Sequence, residues 1–129
     1  MVRQLMRSSL VHMVFGFLAM GGWALFANRG HGLEQAWVPA LAQGTISALL
    51  TGVIKRALEA MDGRVPGPGA WVLPPLATAT GVLVTLVAAH TLVRTPELVA
   101  TIAFPWSLST LYAFLYNGAL VRARRGAAP

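Results

Sequence analysis

Ten basic and four acidic side chains are so placed along this chain that they leave four uncharged intervals, 8–28, 35–54, 65–93 and 98–121, each at least 20 residues long. A bilayer's hydrocarbon core is about 30 Å thick and an α-helix rises about 1.5 Å per residue, so roughly 20 apolar residues cross it once. Four intervals therefore read as four crossings. A soluble helical bundle can hide one uniformly apolar helix at its centre, but four of them in 129 residues, 56% hydrophobic, would leave nothing to cover them. The expectation is an all-α, four-helix transmembrane bundle of two antiparallel hairpins. It forms a single integral membrane domain with spans at about 10–27, 36–54, 71–93 and 98–120.

Local signals refine the spans. Arg3 and Arg7 precede the first, which also fits the start of a signal peptide. Its apolar run is longer than a signal's, however, and a cut after Ala27 would put Leu25 where a small residue is preferred, so segment 1 reads as a retained helix. Segment 2 starts near Ala36 with Pro39 in its first turn, where a missing N–H costs nothing. Residues 57–70, with Val65-Pro66-Gly67-Pro68-Gly69, read as a surface loop. Pro74-Pro75 delays the regular helix of segment 3, and Pro105 inside segment 4 frees the carbonyl of Thr101 and favours a kink. Between them, Thr95 reads as a helix cap, with Pro96 and Glu97 suited to a first turn.

Orientation follows from the basic residues. The N-terminal tail, the second loop and the C-terminal tail together hold eight Lys or Arg: Arg3, Arg7, Lys55, Arg56, Arg64, Arg122, Arg124 and Arg125. The other two loops hold Arg29 and Arg94 alone. By the positive-inside rule both termini are cytoplasmic, and the excess of arginine over lysine with abundant alanine and glycine points to a bacterial inner (plasma) membrane. The net charge of +6 sits at span ends and not on a solvated stripe with interleaved aromatics, so nucleic acid is not expected as a partner. Trp23 and Trp37 fall near one boundary, Trp71 and Tyr116 near the other, while Trp106 fits neither.

Helices associate in lipid where small residues let backbones approach. Segment 2 carries such a ladder in Ala40, Gly44, Ala48 and Gly52; segment 3 repeats it with Ala77, Gly81, Thr85 and Ala89, and segment 1 offers Gly16, Ala19 and Gly21-Gly22. These rows are expected to face the interior, a homodimer seam being the alternative. With helix centres at one depth, near Ala19, Thr45, Val82 and Ser109, a polar midplane gathers Gln43, Ser47, Thr80 and Ser109. It serves either as a substrate path or as interhelical hydrogen bonding, with Ser and Thr bonding back to their own helices. On the opposite side from the termini His31, His90 and Glu97 form a second candidate cluster, although no motif spacing supports a metal there.

No cysteine is present, which excludes disulfides and thiolate chemistry; no catalytic or nucleotide-binding motif is found, and no cofactor is expected. No carboxylate lies inside a span, which argues against a proton-coupled exporter. The fluoride channels' threonine- and phenylalanine-rich motif is absent as well. Three functions remain. The first is an accessory or structural, non-enzymatic subunit of a membrane complex, whose partners are the lipid bilayer and either another membrane protein or a second copy. The second is a small oligomeric transport or translocation protein. The third, a lipid-modifying enzyme, needs His31, His90 and Glu97 to converge.

Overall fold

The computed structural model describes residues 2–127, including the side chains of residue 4 and of residues 10–127. The side chains of Arg3 and Arg7, which entered the orientation argument, lie outside the described residues, as does Pro129. The described residues form four long α-helices, α1 (Val2–Ala27), α2 (Leu33–Met61), α3 (Leu73–Leu92) and α4 (Leu98–Ala127), with none in strands. Short 3₁₀ turns at Arg29–His31 and Gly67–Trp71 lie between α1 and α2 and between α2 and α3. All four helices are long and apolar enough to cross a membrane.

Several boundaries differ from the sequence expectation, the first being that α1 begins at Val2 and not near residue 10. Helix α2 runs on through Lys55-Arg56 to Met61, and α4 through Arg122 to Ala127, because a helix satisfies its own peptide groups wherever the apolar run ends. Residues 57–61 are therefore helix and not loop. Starting at Leu33 instead of Ala36, α2 takes Pro39 inside it, beyond the first turn, and the missing N–H leaves the carbonyl of Gln35 without its helical donor. The prolines of α3 do not delay it: Pro74 and Pro75 occupy its first turn, where no N–H is needed.

Helix α1 packs most extensively on α2, and α3 on α4. The α1–α2 contact is seated on glycine. A Cβ on Gly44 would lie 3.0 Å from both the carbonyl oxygen and the ring of Phe17, and one on Gly21 would lie 3.0 Å from the carbonyl oxygen of Ala40. Ala40 and Gly44 thus hold the backbones close, as the ladder on α2 suggests, but its last rung does not. Gly52 is exposed and a Cβ there would meet nothing.

The row on α3 is corrected outright as an interior face of this chain. Ala77, Gly81 and Thr85 are exposed, and α3 buries Pro74, Pro75, Thr78, Ala79, Val82, Leu86 and His90 instead. The reason lies in its neighbours. Val82 and Leu86 join Ile54, Leu58, Ile102 and Ala113 in the core, a space that wants branched side chains and not a close backbone approach.

The two ends of the molecule are tied differently. At the end where α1 begins and α4 finishes, Tyr116 donates to Glu59 at 2.6 Å and the guanidinium of Arg124 donates to Asp62 at 3.0 Å. Arg125 and Arg122 lie over the ring of Trp71. Asn117, 1% exposed, donates to the carbonyls of Ala70 and Trp71 and so anchors the turn ahead of α3. At the opposite end Trp23 donates to the carbonyl of Ala100, while Trp106, the tryptophan that fits no boundary, donates to that of Ala79. Its depth is explained by a carbonyl of α3, not by a headgroup.

Candidate functional site: a buried polar chain

The polar groups with the most to lose in an apolar interior are Gln43 and His90, both 0% exposed. They meet across α2 and α3. Gln43's amide NH2 donates to Ser47 Oγ at 2.9 Å, which leaves its Oε1 facing His90 Nε2 at 2.8 Å. His90 Nε2 therefore carries the proton and donates, and Nδ1 accepts from the hydroxyl of Thr95 at 2.8 Å. A directional chain results, from Thr95 through His90 and Gln43 to Ser47.

Local backbone geometry sets up one end of this chain. Helix α3 closes with the N–H of Thr95 donating to the carbonyl of His90 and that of Arg94 donating to Thr91. This is the helix-ending turn that usually takes glycine in the left-handed position, and here Arg94 occupies it at φ 54°. The turn folds Thr95 back over the end of α3, so its hydroxyl reaches the imidazole. Thr95 does not cap α4 as expected.

The cap of α4 comes from a distant part of the chain. Asn28, 0% exposed, accepts the backbone N–H of Glu97 on its Oδ1 at 2.9 Å and donates to Thr101 Oγ1 at 2.8 Å and to the carbonyl of Ala24 at 2.8 Å. One carboxamide thus ends α1 and starts α4, satisfying a donor that the helix itself cannot. The freed hydroxyl proton of Thr101 goes to the carbonyl of Glu97 at 2.6 Å.

The proposed midplane set is divided. Gln43 and Ser47 are bonded to each other, whereas Thr80 donates back to the carbonyl of Leu76 and Ser109 to that of Trp106. Thr45, Thr78, Thr85 and Ser107 likewise donate to their own helices. Among the described buried side-chain atoms, only Thr110 Oγ1 lacks a partner. The second candidate cluster is divided too. His31 Nε2 and Glu97 Oε1 lie 2.9 Å apart in a half-exposed pair, while both nitrogens of His90 are engaged by Gln43 and Thr95. Among the described residues no three His, Asp or Glu side chains gather as a metal site would require.

Asn28 and Asn117 are the residues that sequence reasoning passed over. Asn117 lies inside an uncharged interval, and like Gln43 it carries a carboxamide that must find partners in hydrocarbon. Compared with protein-family models, with curated proteins and with solved structures, the chain matches none.

Proposed function

We propose that this protein is a structural or accessory subunit of a membrane complex, threaded as two antiparallel helical hairpins through a bacterial plasma membrane with both termini cytoplasmic. The observation that carries the reading is how the polar and small residues are divided. The interior carboxamides and the imidazole are bonded to the protein's own turns and helices, and Thr80, Thr85 and Ser107 along the spans bond back to local carbonyls. The small-residue row Ala77, Gly81 and Thr85 faces outward on α3, where the backbone of another transmembrane helix can come close. A Cβ on Gly81 would meet nothing within this chain.

The test is a pair of outcomes from one variant. Gly81→Leu is expected to leave thermal stability in mild detergent unchanged, because the position is open, and to abolish a partner or second copy seen by native mass spectrometry of the wild type. A wild type that remains a lone protomer with no bound protein defeats the reading. Sidedness is tested separately. A phosphatase fused after Pro129, active only outside the cytoplasm, is expected to stay inactive while a fluorescent protein there is bright; the reverse pattern overturns the threading.

A translocation reading draws on a cleft of about 260 Å³ between α1, α2 and α4, whose lining includes His12, Ser47, Thr51, Ser109 and Tyr112. Its lining is otherwise apolar, which favours it less.

A further inference from the structure

Below the tight Gly44–Phe17 seat, the α1–α2 seam opens on the outside of the molecule into a groove of about 520 Å³. His12 and Met13 of α1 form one wall, and Ala48 and Gly52 of α2 lie along the floor. Gly52 keeps that floor low, since a Cβ would stand in open space. From Ala48 to Arg56 the groove follows about 12 Å of helix at 1.5 Å per residue. It ends in Lys55 and Arg56, at the end of the molecule where α1 begins and α4 finishes.

Charge at that end is unevenly matched. Of the two carboxylates nearby, Glu59 accepts from Tyr116 at 2.6 Å, and Asp62 accepts from Arg124 at 3.0 Å. Lys55 stays exposed with its ammonium 3.9 Å from Glu59, and the guanidinium of Arg56 has no ion pair or hydrogen bond among the described residues. An occupant must be apolar along most of its length and negative at one end. A lipid with an anionic headgroup meets that requirement, its phosphate matching the basic end and its acyl chain the apolar length.

We propose that this groove is a binding site for one anionic phospholipid. Its phosphate lies on Lys55 and Arg56, and an acyl chain lies along Ala48 and Gly52 between the two helices. The open rung at Gly52, of no use to the packing of this chain, serves the acyl chain. The lipid would complete a helix pair that is tightly seated only at Gly21 and Gly44.

The experiment uses the full chain in nanodiscs of phosphatidylcholine doped with phosphatidylglycerol, with lipid retained on release into mild detergent counted by native mass spectrometry. The wild type is expected to retain one phosphatidylglycerol about tenfold in preference to phosphatidylcholine. Lys55→Gln with Arg56→Gln is expected to bring that preference to near unity. Gly52→Leu, whose Cβ would meet no neighbouring atom, fills the floor and is expected to reduce retention of both lipids. Arg122→Gln with Arg125→Gln removes equal charge elsewhere at the same end and is expected to leave the preference intact. Equal retention of the two lipids by the wild type overturns the proposal, as does a preference lost as readily through Arg122 and Arg125. A thermal scan of each variant separates lipid loss from unfolding, and a variant that unfolds is replaced by Arg56→Gln alone.

Discussion

Gly44→Leu is expected to force α1 away from α2 and to cost the protein most of its folded yield in mild detergent. A Cβ at this position lies 3.0 Å from the carbonyl oxygen of Phe17, which is helical backbone and cannot rotate aside, and 3.0–3.1 Å from two ring carbons. Leucine adds three further carbons beyond that Cβ. Overpacking a tight interior costs about 1–3 kcal/mol and sometimes more, and here the strain falls on the most extensive helix contact in the molecule. In lipid no hydrophobic gain compensates, because a separated helix is as well solvated by acyl chains as by another helix. Thermal unfolding followed by circular dichroism checks this, with Gly52→Leu as the control expected to match the wild type. Equal melting of Gly44→Leu and wild type would mean that the α1–α2 seam does not hold the fold.

That contrast between two rungs of one ladder marks how far the sequence could be read. Four helices long and apolar enough to cross a membrane were legible because charge is costly in hydrocarbon, so the gaps between charged residues outline the candidate spans. Their ends were not, since Lys55, Arg56 and Arg122 leave the apolar run without leaving the helix. The seat at Ala40 and Gly44 was legible as small residues four apart. On α3 the same spacing misled, for that helix is apolar nearly all round. A repeat of four cannot tell the face of Ala77 and Gly81 from that of Thr78, Val82 and Leu86.

The candidate site was legible as one residue without its partner. Gln43 stood out as a carboxamide that needed company, yet levelling the helices at their centres matched it with Thr80 and Ser109. At 1.5 Å per residue Gln43 lies only about 3 Å from Thr45, whereas His90 lies about 12 Å beyond Val82. The 2.8 Å bond between them shows that α2 and α3 are offset along their axes, the longer helix extending past the shorter. Asn28 was hidden for a different reason. Its role as cap to a helix 69 residues away depends on two chain turns meeting, which no local pattern encodes.

Gln43→Leu is expected to lower stability by more than the bond it removes is worth, and replacing His90 as well is expected to recover part of the loss. An interhelical hydrogen bond in a membrane protein contributes on average about 0.6 kcal/mol, because the separated helices also find partners. A buried donor stranded without an acceptor costs about 1–3 kcal/mol. Gln43→Leu strands the Nε2–H of His90, which is fully buried, whereas Ser47 can turn its hydroxyl to a carbonyl of its own helix. His90→Phe strands Gln43 Oε1 in the same way but keeps the ring volume. In Gln43→Leu/His90→Phe neither polar group remains, so the double variant should melt above the sum of the single losses. The difference is a coupling of about 1 kcal/mol, of the size found between residues in direct contact. Unfolding in mixed micelles with increasing dodecyl sulfate measures all four proteins on one scale. Strict additivity would mean that the imidazole and the carboxamide act independently, and that the chain from Thr95 to Ser47 is a row of neighbours with no common role in holding α2 to α3.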